Sequence, residues 1–100
     1  MARKHNTDRN GNSWTESQKK SVWEKGKGIP GYSKDVWRRD KCGKNMKWSD
    51  HGNRDSKNGW EIDHIDPVSN GGGDELSNLQ PLYWKNNADK GDKTNWSCPN

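Results

Sequence analysis

Two short apolar runs, residues 60–65 and 79–84, bracket a segment that contains Gly71-Gly72-Gly73. Each run is only strand-sized, and its Trp, Ile, Leu and Tyr content suits extended chain. The glycines between them read as a flexible turn. Beyond the second run the chain becomes polar, with Asn86, Asn87 and Lys90. Apolar runs are scarce elsewhere: 24% of the 100 residues are hydrophobic and Phe is absent. That composition borders on the disordered class. Seven tryptophans argue against disorder, because each can bury a large apolar area. The expectation is one small domain with a Trp-built core, long polar loops and frayed ends. A domain this small has little stability to spare, so a bound ligand should raise it noticeably.

Charge is divided unevenly. Residues 1–60 carry 15 Lys/Arg against 7 Asp/Glu, and residues 61–100 carry 3 against 7. A basic front half beside an acidic back half suits a polyanion gripped near a divalent cation. A solvated basic surface is the plain alternative. No run of about 20 apolar residues could span a membrane, and the N-terminal residues lack the apolar segment of a secretory signal. The expected compartment is the cytoplasm. Cys42 and Cys98 form no Cys-x-x-Cys pair, so no disulfide framework is indicated, though one bond stays open. Cys42 is expected to be a small buried hydrophobe and Cys98 to be exposed.

Several side chains at the end of the first run and beyond it carry chemistry. Asp63 offers oxygen to a hard cation. His64, beside it, can take a proton from water near neutral pH. Asn78 and Asn87 can orient an imidazole or complete a metal shell without adding charge. Glu61 and Asp66 read as surface carboxylates.

Residues 59–91 resemble the HNH endonuclease family. The matching residues are Asp63-His64, Asn78 and Asn87, with Lys90 behind them. Asn78 lies 14 residues and Asn87 23 residues after His64, spacings similar to those in the HNH domains of RNA-guided CRISPR nucleases. Asp-His-Ile-x-Pro-Val-Ser, Gly-Gly-x-Asp and Asn-Leu-Gln-Pro-Leu match a common bacterial and phage pattern. The resemblance implies an α+β fold, a small ββα-metal (HNH/His-Me finger) core at about residues 58–92 within a single domain 13–100. It implies a metal-dependent endonuclease in which His64 is the general base and Asp63 and Asn87 hold one divalent ion. In it, Asn78 positions His64 and Lys90 neutralises the scissile phosphate. Asn86 stays open as an alternative to Asn87. Two oxygen ligands favour Mg2+ or Mn2+ over zinc. Many relatives bind a structural zinc through two Cys-x-x-Cys pairs. Here those positions hold Cys42, Asn45, Tyr83 and Asn86, so no structural zinc is expected, and Trp and Tyr packing would take over.

The rest of the chain supports this centre. Residues 1–12 read as a mobile polar tail. Thr15-Glu16-Ser17-Gln18 is a capping box opening a helix that runs to about Lys25. Its face of Trp14, Gln18, Val22 and Lys25 packs on the core, with Trp23 adjoining. Ile29-Pro30-Gly31-Tyr32 is a turn. Ser33 caps a second short helix from Lys34 to about Lys41 that buries Val36 and Trp37. Met46-Lys47-Trp48 reads as a strand pairing near Trp60. Arg38, Arg39, Lys41, Lys44 and Lys47, with Arg54 and Lys57, are the candidate contacts to a phosphate backbone. His51, in a hydrophilic loop, reads as bland. DNA is the expected partner, double-stranded before single-stranded, with RNA open, and the chain is expected to be a monomer or weak dimer. Two other readings stand beside it: a non-catalytic nucleic-acid-binding module of the same fold, and a toxin-type nuclease.

Overall fold

The computed structural model describes residues 3–99; Met1, Ala2 and Asn100, which fall within the expected tail and domain, lie outside the described residues. In chain order the elements are α1 (Glu16–Trp23), β1 (Lys27–Gly28), β2 (Trp37–Arg39), β3 (Asn45–Lys47), β4 (Trp60–His64), β5 (Leu79–Tyr83) and α2 (Trp84–Lys90). The strands form two small antiparallel sheets, β1-β2-β3 and β4-β5. Two helices with two such sheets make the α+β fold expected of the sequence.

Helix α1 begins as its capping box predicts. Thr15 Oγ1 accepts from the Gln18 amide at 3.1 Å, and Gln18 Oε1 accepts from the Thr15 amide at 2.9 Å, so two otherwise orphaned donors are satisfied. The helix ends at Trp23, a little before Lys25, where the Gly26 amide donates to the Trp23 carbonyl. Trp14, Val22 and Trp23 are buried with Met46, Trp60, Ile62 and Leu79 in one core. Trp23 and Trp60 approach to 5.0 Å between ring centroids, and Trp48 packs against both at 5.6 and 5.8 Å. The indole N–H groups of Trp23 and Trp60 donate to the Lys34 and Trp48 carbonyls. Large rings can be buried here because their one polar atom finds a backbone acceptor. Trp23 is therefore a core residue, and Trp14 is one too, although its buried indole N–H has no partner among the described residues.

Four local expectations are corrected. Residues 34–36 form a turn and Trp37–Arg39 form the central strand β2, where a helix from Lys34 to Lys41 was expected. Pairing with strands on both sides outweighs the weak helix propensity of so short a segment. Val36 is consequently 39% exposed. Strand β3 forms its ladder with β2, as Trp37↔Lys47, Arg38↔Met46 and Arg39↔Asn45, and towards Trp60 it makes a single backbone-to-backbone bond, from the Lys47 amide to the Asn58 carbonyl at 3.0 Å. Cys42 and Cys98, each half-buried, form a disulfide. It closes a span of 56 residues, and closure on that scale removes about 4 kcal/mol of chain entropy from the unfolded state.

The hairpin that carries Cys42 is tied down by one buried carboxylate. Asp40 Oδ1 accepts from the Cys42 and Lys44 amides, and Oδ2 accepts from the Tyr83 amide and from Asn86 Nδ2. The Asp40 hydrogen bonds thus join the hairpin to the start of α2, and the disulfide joins it to the C-terminal segment, where Trp and Tyr packing was expected.

Residues 3–12, assigned to the tail, make specific contacts with the core. Asn6 Oδ1 accepts from the Ile62 amide at 2.9 Å and lies 3.2 Å from His51 Nε2. His51 also packs on Trp60, with ring centroids 4.7 Å apart. Burial, assisted by the Lys19 charge, lowers its pKa from 6.5 to about 4. The unfolded chain then binds a proton that the folded chain refuses, so this group's contribution to stability is lost as pH falls from 6.5 towards 4. Chemical denaturation at a series of pH values should show a shallower acid loss for His51→Gln, which keeps a donor for Asn6.

Candidate active site

Strand alternation sorts β4 into two faces. Trp60 and Ile62 enter the core, and His64 follows them to pack on Trp14 with ring centroids 5.5 Å apart. Glu61 and Asp63 turn towards α2. All five residues of β4 are buried. The strand therefore carries two acids and an imidazole in places where each must have a partner.

Asp63 has partners on two elements. Gln80, its cross-strand neighbour, donates Nε2 to Oδ2 at 2.8 Å, and Lys90 Nζ lies 3.2 Å from Oδ1. Burial pushes the Asp63 carboxyl above its ordinary pKa, opposed first by the Gln80 hydrogen bond and then by Lys90. Lys90 is itself buried and donates to the His64 carbonyl at 3.0 Å. Its ammonium thus braces the Asp63-His64 pair from within.

Glu61 is fully buried, which corrects its reading as a surface carboxylate. Arg54 grips it in a two-pronged pair, Nε to Oε2 at 2.8 Å and an Nη to Oε1 at 2.9 Å. Asn87 Nδ2 donates to the same Oε1 at 2.8 Å. With the Asn87 amide nitrogen committed to Glu61, its oxygen is the atom left to act as a ligand. The signal for Glu61 was present in the sequence: it stands two residues before Asp63 on a strand, hence on the same face.

His64 Nε2 lies 2.7 Å from Asp74 Oδ1. The Arg9 amide donates to both Asp74 oxygens, at 3.1 and 3.3 Å. A carboxylate against Nε2 favours the tautomer with hydrogen there and leaves Nδ1 as the free base. Asp74 is the residue that the reading of the sequence missed. Only its place in the Gly-Gly-x-Asp segment hinted at it.

Asn78 works on the loop and does not touch the imidazole. Its Oδ1 accepts from the Asp66 amide at 2.8 Å, and Nδ2 donates to the Asp66 and Gly73 carbonyls at 3.1 and 2.9 Å. This folds residues 66–73 into a closed loop that delivers Asp74 to His64. Gly72 is required there, since a Cβ would come within 1.7 Å of the Asp66 carbonyl oxygen.

A cleft of about 230 Å3 brings Asp63, His64 and Asn87 together, with Arg3, His5 and Arg54 on its walls. Asn86, the other candidate, points instead to Asp40. Among the described residues no cluster of three or more His, Cys, Asp or Glu side chains could hold a metal ion. The donors available for an ion are thus one carboxylate and one amide oxygen, a set that fits a hard cation keeping much of its shell as water or phosphate oxygen.

The basic candidates divide. Arg38 is committed to the Glu24, Gly26 and Lys34 carbonyls, and Arg54 to Glu61. Lys41, Lys44 and Lys57 are exposed, and Arg39 and Lys47 are half-exposed.

Two antiparallel strands followed by a helix, with Asp and His ending the first strand and Asn on the helix, define a ββα nuclease-type centre. The family model for the HNH endonuclease matches residues 40–93, and the chain belongs to that family. Neither the curated proteins nor the solved structures include a significant match to it.

Proposed function

We propose that this chain is a metal-dependent endonuclease that hydrolyses phosphodiester bonds of DNA, double-stranded DNA above all. The observation that carries this reading is the convergence of Asp63, His64 and Asn87 on one cleft. His64 takes a proton from water at Nδ1, because Nε2 is held by Asp74. Asp63 and the Asn87 oxygen hold the ion. Mg2+ or Mn2+ bound there supplies charge neutralisation on the phosphate and on the departing 3′ oxygen. Lys90 holds Asp63 and the His64 backbone in place and does not contact phosphate, a different role from the one the resemblance implies. Asn78 acts on His64 through the loop and Asp74. The cytoplasm is the proposed compartment from the sequence. One observation favours the delivered-toxin alternative: the Cys42–Cys98 bond persists where thiols are oxidised and is rare in a reducing cytosol.

The test is cleavage of supercoiled plasmid. Wild type should give nicked or linear product with Mg2+ or Mn2+ and none with EDTA. Binding without cleavage under every metal would end the enzyme reading and favour the binding module. A second expectation concerns Asp74. Asp74→Asn should lower kcat by about 10- to 100-fold, the usual cost of losing an orienting partner, with KM little changed. Nitrogen NMR of the imidazole should then show the Nε2–H tautomer of His64 losing its preference. An unaltered tautomer would rule out the orienting role.

A further inference from the structure

We propose that the outward face of the β1-β2-β3 sheet is a docking track for a single nucleic-acid strand, which leads along a groove to the cleft; this rests on the nuclease reading. The register sets the face. Trp37↔Lys47, Arg39↔Asn45 and Lys27↔Arg39 are cross-strand pairs, so Lys27, Trp37, Arg39 and Lys47 share one side of the sheet. Arg38, Met46 and Gly28 take the other side, where Met46 is fully buried and Arg38 is bonded to carbonyls. The outward side thus carries three cations and no acid. Lys47 Nζ stands 5.7 Å from the Trp37 ring centroid, and Tyr32, 62% exposed, meets Trp37 edge-on at 6.4 Å. Cations interleaved with accessible aromatic rings suit a strand whose phosphates are held while an unpaired base stacks.

The face continues into a groove of about 560 Å3 that Lys27 and Arg39 line together with Ile65 and Gln80. Ile65 is 39% exposed there. Gln80 donates to Asp63, so the far wall of the groove touches the residue that borders the cleft. Asp40 also lines the groove, but its oxygens are occupied by the amides of Cys42, Lys44 and Tyr83 and by Asn86. With Lys27, Arg39 and Lys41 against that one buried carboxylate, the groove presents net positive charge to a polyanion. A strand laid on Trp37, Arg39 and Lys47 runs into this groove, whose Gln80 wall is one hydrogen bond from Asp63.

The experiment is fluorescence anisotropy of a labelled oligothymidylate and of a matched duplex, in EDTA so that nothing is cut. The double variant Arg39→Ala/Lys47→Ala should weaken the single strand about tenfold and flatten its salt slope by about 1.4, two phosphates at about 0.7 each. The charge-matched variant Lys20→Ala/Lys93→Ala, altered elsewhere, should leave that slope unchanged. Tyr32→Ala should weaken the single strand at least about fivefold, as loss of one stacked base does, and leave the duplex as it was. Equal losses in both charge variants would show diffuse attraction and overturn the track. So would losses confined to the duplex, or unchanged binding by Arg39→Ala/Lys47→Ala. Plasmid cleavage by wild type separates the two claims. A cleaving enzyme with no sheet effect sinks the track alone, and a sheet effect without cleavage sinks the nuclease alone.

Discussion

His64→Ala abolishes metal-dependent cleavage while DNA binding persists: that is the largest expected effect on activity. General-base catalysis by a placed side chain contributes about 10²- to 10⁴-fold, and no second imidazole replaces this one. His51 is packed on Trp60 and bonded to Asn6. His5 lines the cleft, but its Nε2 lies 3.5 Å from Glu61. The imidazole is only 4% exposed and packs on Trp14, so alanine also removes packing. The loss of activity must therefore be separated from a loss of fold. A retained cooperative unfolding transition and partial rescue by added imidazole would assign the defect to proton transfer. Cleavage surviving in the variant would refute His64 as the base.

The parts of this site that follow from period and spacing were legible in the sequence; the parts set by tertiary contact were not. Asp63 and His64 end a run that reads locally as a strand, Asn87 was singled out by the family spacing in a stretch that reads only as polar, and the cleft gathers all three. The capping box of α1 is likewise local and formed as read. Glu61 and Arg54 were misplaced because a carboxylate beside a polar loop looks solvated until its guanidinium partner is known. Arg38 looked like its neighbour Arg39, yet strand register sends one inward and the other outward. Residues 34–41 became turn and strand because β1 and β3 supply the pairing, and the segment's own residues include neither neighbour. The disulfide depends on the C-terminal segment returning to the hairpin, and neither cysteine has a local pattern that announces it. Asp74 belonged to a glycine-rich loop, and only the closure enforced by Asn78 brings it to His64.

Lys90→Met should produce the largest loss of stability. The Lys90 side chain is about as long as methionine and only 3% exposed, so shape is nearly kept while charge and donors are lost. Asp63, with its side chain 6% exposed, then faces the interior without its cation, and the His64 carbonyl loses its donor. Breaking a buried pair in this way costs about 3–5 kcal/mol, a large share of the about 5–15 kcal/mol that holds a domain. The pH dependence has a definite sign. Burial already raises the Asp63 pKa, so the folded state holds its proton more tightly than the unfolded chain does. That contribution is fully present below the unfolded pKa and is lost as pH rises through the folded one. Without Lys90 the pKa rises further, and the deficit against wild type, measured in EDTA, should grow as pH rises from mildly acid to neutral. Lys90→Met/Asp63→Asn removes the stranded charge and should recover much of the loss, so a variant too unstable to study alone still leaves the argument testable. A double variant no more stable than Lys90→Met would show that the ammonium matters through packing and not through Asp63.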